Sequence, residues 1–185
     1  MFKRTLYTPE FFDGTEWQEG MISFDKEDAI RHMNEMRSWN DVKDVRLLES
    51  EDEYVIILTV LSRLYASGNN DFPKEVIFTS TDAFIGYTQM LEGYKVTHAS
   101  IIGDVVNKTE GIIVTAHEPE VEEREAKSWD FDVVFATDAD ADASIAEYLA
   151  HQEEVWADDN REEFRTTKKQ SLSVTFTRRT VKILK

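Results

Sequence analysis

A chain of 185 residues that is 41% hydrophobic and 11% aromatic is long enough to bury a core and too apolar for a disordered solvating segment. Three prolines and seven glycines exclude collagenous and low-complexity classes, and zero cysteines exclude disulfides, thiolate nucleophiles and Cys-rich zinc sites together. Thirty-seven acids against 21 bases leave a net charge of −16, which repels phosphate backbones and anionic membranes and favours basic partners. The longest apolar stretch, residues 54–62, is far short of a membrane span, and Met1-Phe2-Lys3-Arg4 does not open a secretory leader. The expectation is a soluble, cytoplasmic protein of one domain or a few small repeats.

Along the chain, three segments share a layout in which a β-rich run ends in Phe, a short polar cap follows and a helical pattern begins. They are Met21-Ile22-Ser23-Phe24 before Asp28-Ala29, Val76-Ile77-Phe78 before Asp82-Ala83, and Val133-Val134-Phe135 before Asp138-Ala139. Phe24, Asp28, Ala29, Met36 and Leu47 match Phe78, Asp82, Ala83, Met90 and Ile101 at a constant offset of 54, and residues 53–57 match 110–114 at an offset of 57. The pattern predicts an α+β fold of three tandem strand-strand-helix-strand units, 1–52, 53–109 and 110–185, the last with a longer acidic helix and basic C-terminal strands. The sheet is expected to be mainly antiparallel with helices on one side, and Phe24, Phe78 and Phe135 to be equivalent buried strand ends. Residues 54–61 read as a central strand covered on both faces, residues 50–53 as a hairpin turn before it, and residues 103–111 as the turn of a second hairpin.

Candidate chemistry is sparse. Asp138, Asp140 and Asp142 alternate like the start of a calcium loop, but Ala143 and Leu149 stand where an EF-hand needs Gly and Glu, so the run reads as an acid-rich helix N-terminus. His98 and His117 would face each other across the second hairpin, with no third metal ligand evident. No G-x-S-x-G, glycine-lysine phosphate loop, G-x-G-x-x-G or paired C-x-x-C is present. No catalytic residue, metal or cofactor is therefore nominated, and enzymatic activity is not expected. A motif-free hydrolase built on a carboxylate pair stays open as an alternative.

Charge carries the remaining signal. Residues 1–117 hold 20 acids and 11 bases, residues 118–163 hold 17 and 3, and residues 164–185 hold none and 7. From Asp140 to Glu163 a helical pattern buries Ile145, Tyr148, Leu149, Val155 and Trp156, while Glu147, His151, Glu154 and Asp158 line the opposite face. Nine acids in these 24 residues, about 36 Å if fully helical, can imitate part of a phosphate backbone. Glu120, Glu122 and Glu123 form a second acidic run in the loop 118–127. The candidate partner-binding residues are thus Glu147, Glu154, Asp158, Glu120, Glu122 and Glu123. The basic end, Arg165 to Lys185, reads as a strand whose lysines protect a sheet edge or bind RNA, or as a countercharge packed against the acidic helix.

In composition, size and lack of cysteine the chain is similar to the acidic inhibitors that phages use against restriction and CRISPR nucleases, though no motif carries the similarity. The expectation is a non-enzymatic acidic binding protein that mimics nucleic acid and inhibits a nucleic-acid-processing enzyme. Its partner is then a basic protein surface, and it binds neither membrane nor nucleic acid directly. The competing expectation is an assembly module that self-associates through its repeated sheets.

Overall fold

The computed structural model describes residues 1–61, 74–122, 124–157 and 161–185. Among these residues, four helices and a mixed, mostly antiparallel sheet of eight strands make an α+β protein. The chain divides into two compact units, Phe2–Tyr54 and Val55–Lys185, the latter with Met1. No helix among the described residues is long and apolar enough to cross a membrane.

In the N-terminal unit, strand β1 (Phe2–Phe12) lies between β2 (Trp17–Glu19) and the first part of β3 (Asp44–Val60), all antiparallel. Helix α1 (Lys26–Met36) starts where the Asp25 carboxylate accepts the N–H groups of Glu27 and Asp28, and it buries Ala29 and Met36. Two expectations are corrected here. Residues 50–53 are strand, not turn, because their carboxylates meet cations across the ladder: Lys3 Nζ lies 3.2 Å from Glu51 and an Arg4 nitrogen 2.7 Å from Asp52. Phe24 is 59% exposed. Its segment meets β1 only in an isolated bridge from Ser23 to Tyr7, and the ring lies 4.2 Å from the Arg4 guanidinium that covers it.

The C-terminal unit is a closed ring of strands. It comprises the end of β3, β4 (Glu75–Phe78), helix α2 (Thr81–Thr88), β5 (Tyr94–Ile102), β6 (Glu110–Glu118), β7 (Lys127–Phe135), helix α3 (Asp138–Trp156), helix α4 (Arg165–Ser171) and β8 (Thr175–Leu184). The order is β3-β4-β8-β6-β7-β5, and β5 pairs again with β3, where the Leu61 N–H donates to the Gly93 carbonyl over 3.1 Å. Alternate residues point inward, so Val55 and Ile57, Ile77, Ala99, Ile113, Val134, Val181 and Ile183 fill one core from all six strands, with Val105 packed among them. The alternate set on β3 and β4, Ile56, Leu58, Val76 and Phe78, is buried on the outer side, which accounts for the unbroken apolarity of residues 55–58.

This ring holds one arrangement twice. Strands β3 and β4, helix α2 and strand β5 have the same order as β6, β7, α3 and β8. The second strand of each half pairs in parallel with the last strand of the other, β4 with β8 and β7 with β5. Each helix is capped alike, by Ser80 Oγ for α2 and Thr137 Oγ1 for α3. The residues 1–52 pair differently and do not complete a third copy. Because β5 and β6 are not neighbours, residues 103–111 are not a hairpin turn and His98 does not face His117. Likewise β8 lies between β4 and β6 rather than at an edge. The polar link before it is helix α4, which contains Arg165 to Gln170.

Gly111 sits where the ring is closely packed: a Cβ there would stand 2.7 Å from Val134 Cγ1 and 3.1 Å from Ile77 Cδ1. Gly111→Ala is expected to cost about 1–3 kcal/mol through overpacking, read as a shift in the urea midpoint with an unchanged slope. Wild-type stability in that variant would mean that the interior is loosely packed at this level.

Candidate functional site

The outer face of β7 and the helix after it build a concave surface. Thr137 caps α3, and Asp138 and Asp140 sit in its first turn, favoured by the helix dipole. The inner stripe then packs: Ala141 is fully buried against Val114 and Phe135, and Tyr148 meets Phe131 and Phe176 at ring distances of 5.7 and 5.8 Å. Burial, with the Glu118 charge adding to it, raises the Tyr148 pKa. Val155, expected on this stripe, is 52% exposed in the last turn of α3, which ends at Trp156.

Between α3 and β7 runs a groove of about 670 Å³. One wall carries Trp129, Phe131, Asp132 and Val133; the other carries Glu147, Tyr148, His151 and Glu154. β7 has extra residues opposite Val114, where the register with β6 shifts between Ile113 and Thr115. Such a bulge re-aims the side chains around it.

Carboxylates near this surface fall into two groups. Some are already neutralised by arginines. Arg178 donates to Asp138 over 3.0 Å and to Asp142, and Asp140 accepts from the Thr137 hydroxyl over 2.8 Å. Glu122 accepts from the two terminal guanidinium nitrogens of Arg165 at 3.3 and 3.1 Å and from Thr166 Oγ1 at 3.2 Å, with Lys169 Nζ at 4.0 Å. Its φ of 50° belongs to the turn of that loop. The loop is held down by Gln170, 1% exposed, which donates to the carbonyls of Pro119 and Glu125 and accepts from Arg124 Nε at 2.7 Å. The second group is Asp132, Glu147 and Glu154, for which no ion-pair partner is found among the described residues.

The structure thus brings Glu147 and Glu154 into one groove, places Glu120 exposed and Glu122 paired in the loop between β6 and β7, and leaves Glu123 and Asp158 outside the described residues. Sequence reasoning singled out neither Trp129 nor Asp132. It also missed Arg179, read as part of a basic end.

Arg179 belongs to a second polar cluster, on the inward face beyond the apolar core. Its guanidinium donates to Glu75 at 2.7 and 2.9 Å, to Asp130 at 2.8 and 2.7 Å and to Thr115 Oγ1 at 2.8 Å. Hydrogen bonding to Arg179 holds the Asp130 carboxyl below the usual range, and the two carboxylates raise the pKa of Arg179. Near it His117 meets Ser128 Oγ at 2.9 Å through Nδ1 and Thr177 Oγ1 at 2.7 Å through Nε2. Both ring nitrogens face hydroxyls, so this Ser-His contact lacks the carboxylate that orients the base in a nucleophilic triad. Among the described residues no group of three or more His, Asp or Glu side chains is placed to hold a metal.

In comparisons with known proteins the chain matches no family model, no curated protein and no solved structure.

Proposed function

We propose that the chain is a non-enzymatic acidic binding protein that offers the carboxylates of the α3–β7 groove to a basic surface on a partner protein. In its sharper form the proposal makes the partner a nucleic-acid-processing enzyme, inhibited because this surface occupies the channel meant for a phosphate backbone. The observation that supports the reading is the division among the acids: Asp138, Asp142 and Glu122 are matched to arginines, as is Asp130 at the groove's edge by Arg179, whereas Asp132, Glu147 and Glu154 in the same groove have no ion-pair partner among the described residues. Carboxylates gathered without countercharge repel one another and gain most when a partner supplies the cations.

The test is a graded substitution. Glu147→Gln with Glu154→Gln is expected to weaken binding to a basic protein recovered from cell lysate by about 2- to 30-fold, the sum of two exposed pairs of 0.2–1 kcal/mol each. Glu147→Lys with Glu154→Lys is expected to weaken it more, because repulsion replaces lost attraction. Equal affinity for wild type and both variants would remove this surface from the binding event.

A further inference from the structure

We propose, resting on the reading above, that the α3–β7 groove seats an arginine side chain from a basic segment of the partner, its guanidinium stacked on Trp129 and bonded between Asp132 on one wall and the α3 carboxylates on the other. Two such seats exist within the chain itself. Arg46 lies 4.0 Å over the Trp17 ring while its Nε donates to the buried Glu10 carboxylate over 2.5 Å. Arg4 lies 4.2 Å over Phe24 and bonds Asp52 over 2.9 Å. In both places an aromatic face and a carboxylate close around a guanidinium. The groove repeats the aromatic face and the carboxylate: Trp129, large and 37% exposed, stands with Asp132, Glu147 and Glu154, and the described lining holds no arginine of this chain.

Groove chemistry selects between the two basic side chains. Phe131, Val133 and Tyr148 make its walls partly apolar, and a volume of about 670 Å³ falls within the range of ordinary ligand clefts. Guanidinium is planar and weakly hydrated, so it loses less on entering such walls than an ammonium does, and it stacks on indole. Its fork can bond carboxylates on two sides at once, whereas lysine offers a point charge.

The test uses nine-residue oligoarginine, nine-residue oligolysine and spermine as probes, titrated calorimetrically into the full chain at physiological salt. Oligoarginine is expected to bind more tightly than either amine probe. Trp129→Leu and Asp132→Asn are each expected to lower its affinity by about 2- to 30-fold while moving oligolysine less, so that the arginine preference shrinks. Trp129→Phe, which keeps an aromatic face, should retain most of it and serves if the leucine variant folds poorly. Equal binding of both peptides, or spermine binding as tightly as oligoarginine, overturns the arginine seat. If Glu147→Gln with Glu154→Gln weakens both peptides alike and Trp129→Leu changes neither, the seat is wrong while the acidic-surface reading stands. If neither pair of changes alters binding of any probe, both fail.

Discussion

Phe78→Ala and Phe135→Ala are each expected to lose about 3–5 kcal/mol of unfolding free energy, whereas Phe24→Ala loses less than about 1 kcal/mol, the worth of an exposed ring under a guanidinium. Both large effects come from equivalent positions of the closed ring. Phe78 ends β4 beside Leu184 of β8 and is fully buried against Phe84 and Tyr87 at ring distances of 5.5 and 5.4 Å. Phe135 ends β7 beside Ile102 of β5 and is fully buried with Ala141 of α3. Truncation at either place leaves a cavity where a helix joins the ring, and neither backbone can collapse to fill it because both strands are paired on two sides. Urea unfolding of the three variants checks the ordering. A loss at Phe24 comparable with the other two would mean that the first 52 residues share the architecture of the ring after all.

Arg179→Met is expected to cost about 2–4 kcal/mol at neutral pH, between the 3–5 of a fully buried pair and the fraction of a kcal/mol of an exposed one. The intermediate value follows from a side chain that is 34% exposed yet doubly paired. Removing the cation leaves Glu75 and Asp130 facing each other with nothing between them. The sign of the pH dependence follows from the lowered pKa of Asp130. In the wild type the contribution of Asp130 is complete above the unfolded carboxyl value of about 3.9 and is lost as pH falls through its lower folded value. In the variant the two carboxylates repel and are relieved by protonation. The difference between the proteins is therefore large at pH 7 and shrinks as pH falls toward about 4. Arg179→Lys, which restores charge but not the fork, should recover part of the loss. A loss equal at both pH values would place the stabilisation in the packing of the arginine stem instead.

The sequence shows what is local. β-branched runs mark the strands, Asp25, Ser80 and Thr137 mark the helix starts, and the 57-residue match of 53–57 with 110–114 falls on corresponding strands of the two halves of the ring. What it does not show is pairing at a distance. That β4 joins β8 and β7 joins β5 depends on how two halves exchange strands, which no run of residues announces, so residues 103–111 looked like a turn between neighbours. The acidic residues 50–53 resembled a turn because their cations lie 48 residues away on β1. The groove was half legible. Glu147 and Glu154 follow from helical spacing, but that Trp129 and Asp132 line the same groove depends on where α3 packs against β7, which no local pattern states. Glu122 looked available because its partner, Arg165, comes from a helix 43 residues on.

The most direct measurement is the salt dependence of binding to the basic partner, taken for wild type, for Glu147→Lys with Glu154→Lys, and for a control of equal net charge, Asp41→Lys with Glu92→Lys, two exposed acids away from the groove. Exposed charge pairs are screened over about 8–10 Å at ordinary ionic strength. Wild type and control are therefore expected to weaken steeply and in parallel as salt rises, while the groove variant binds far more weakly at low salt and with a shallower slope. Affinity that is insensitive to salt, or that falls equally in the control and the groove variant, would contradict recognition through the carboxylates of α3.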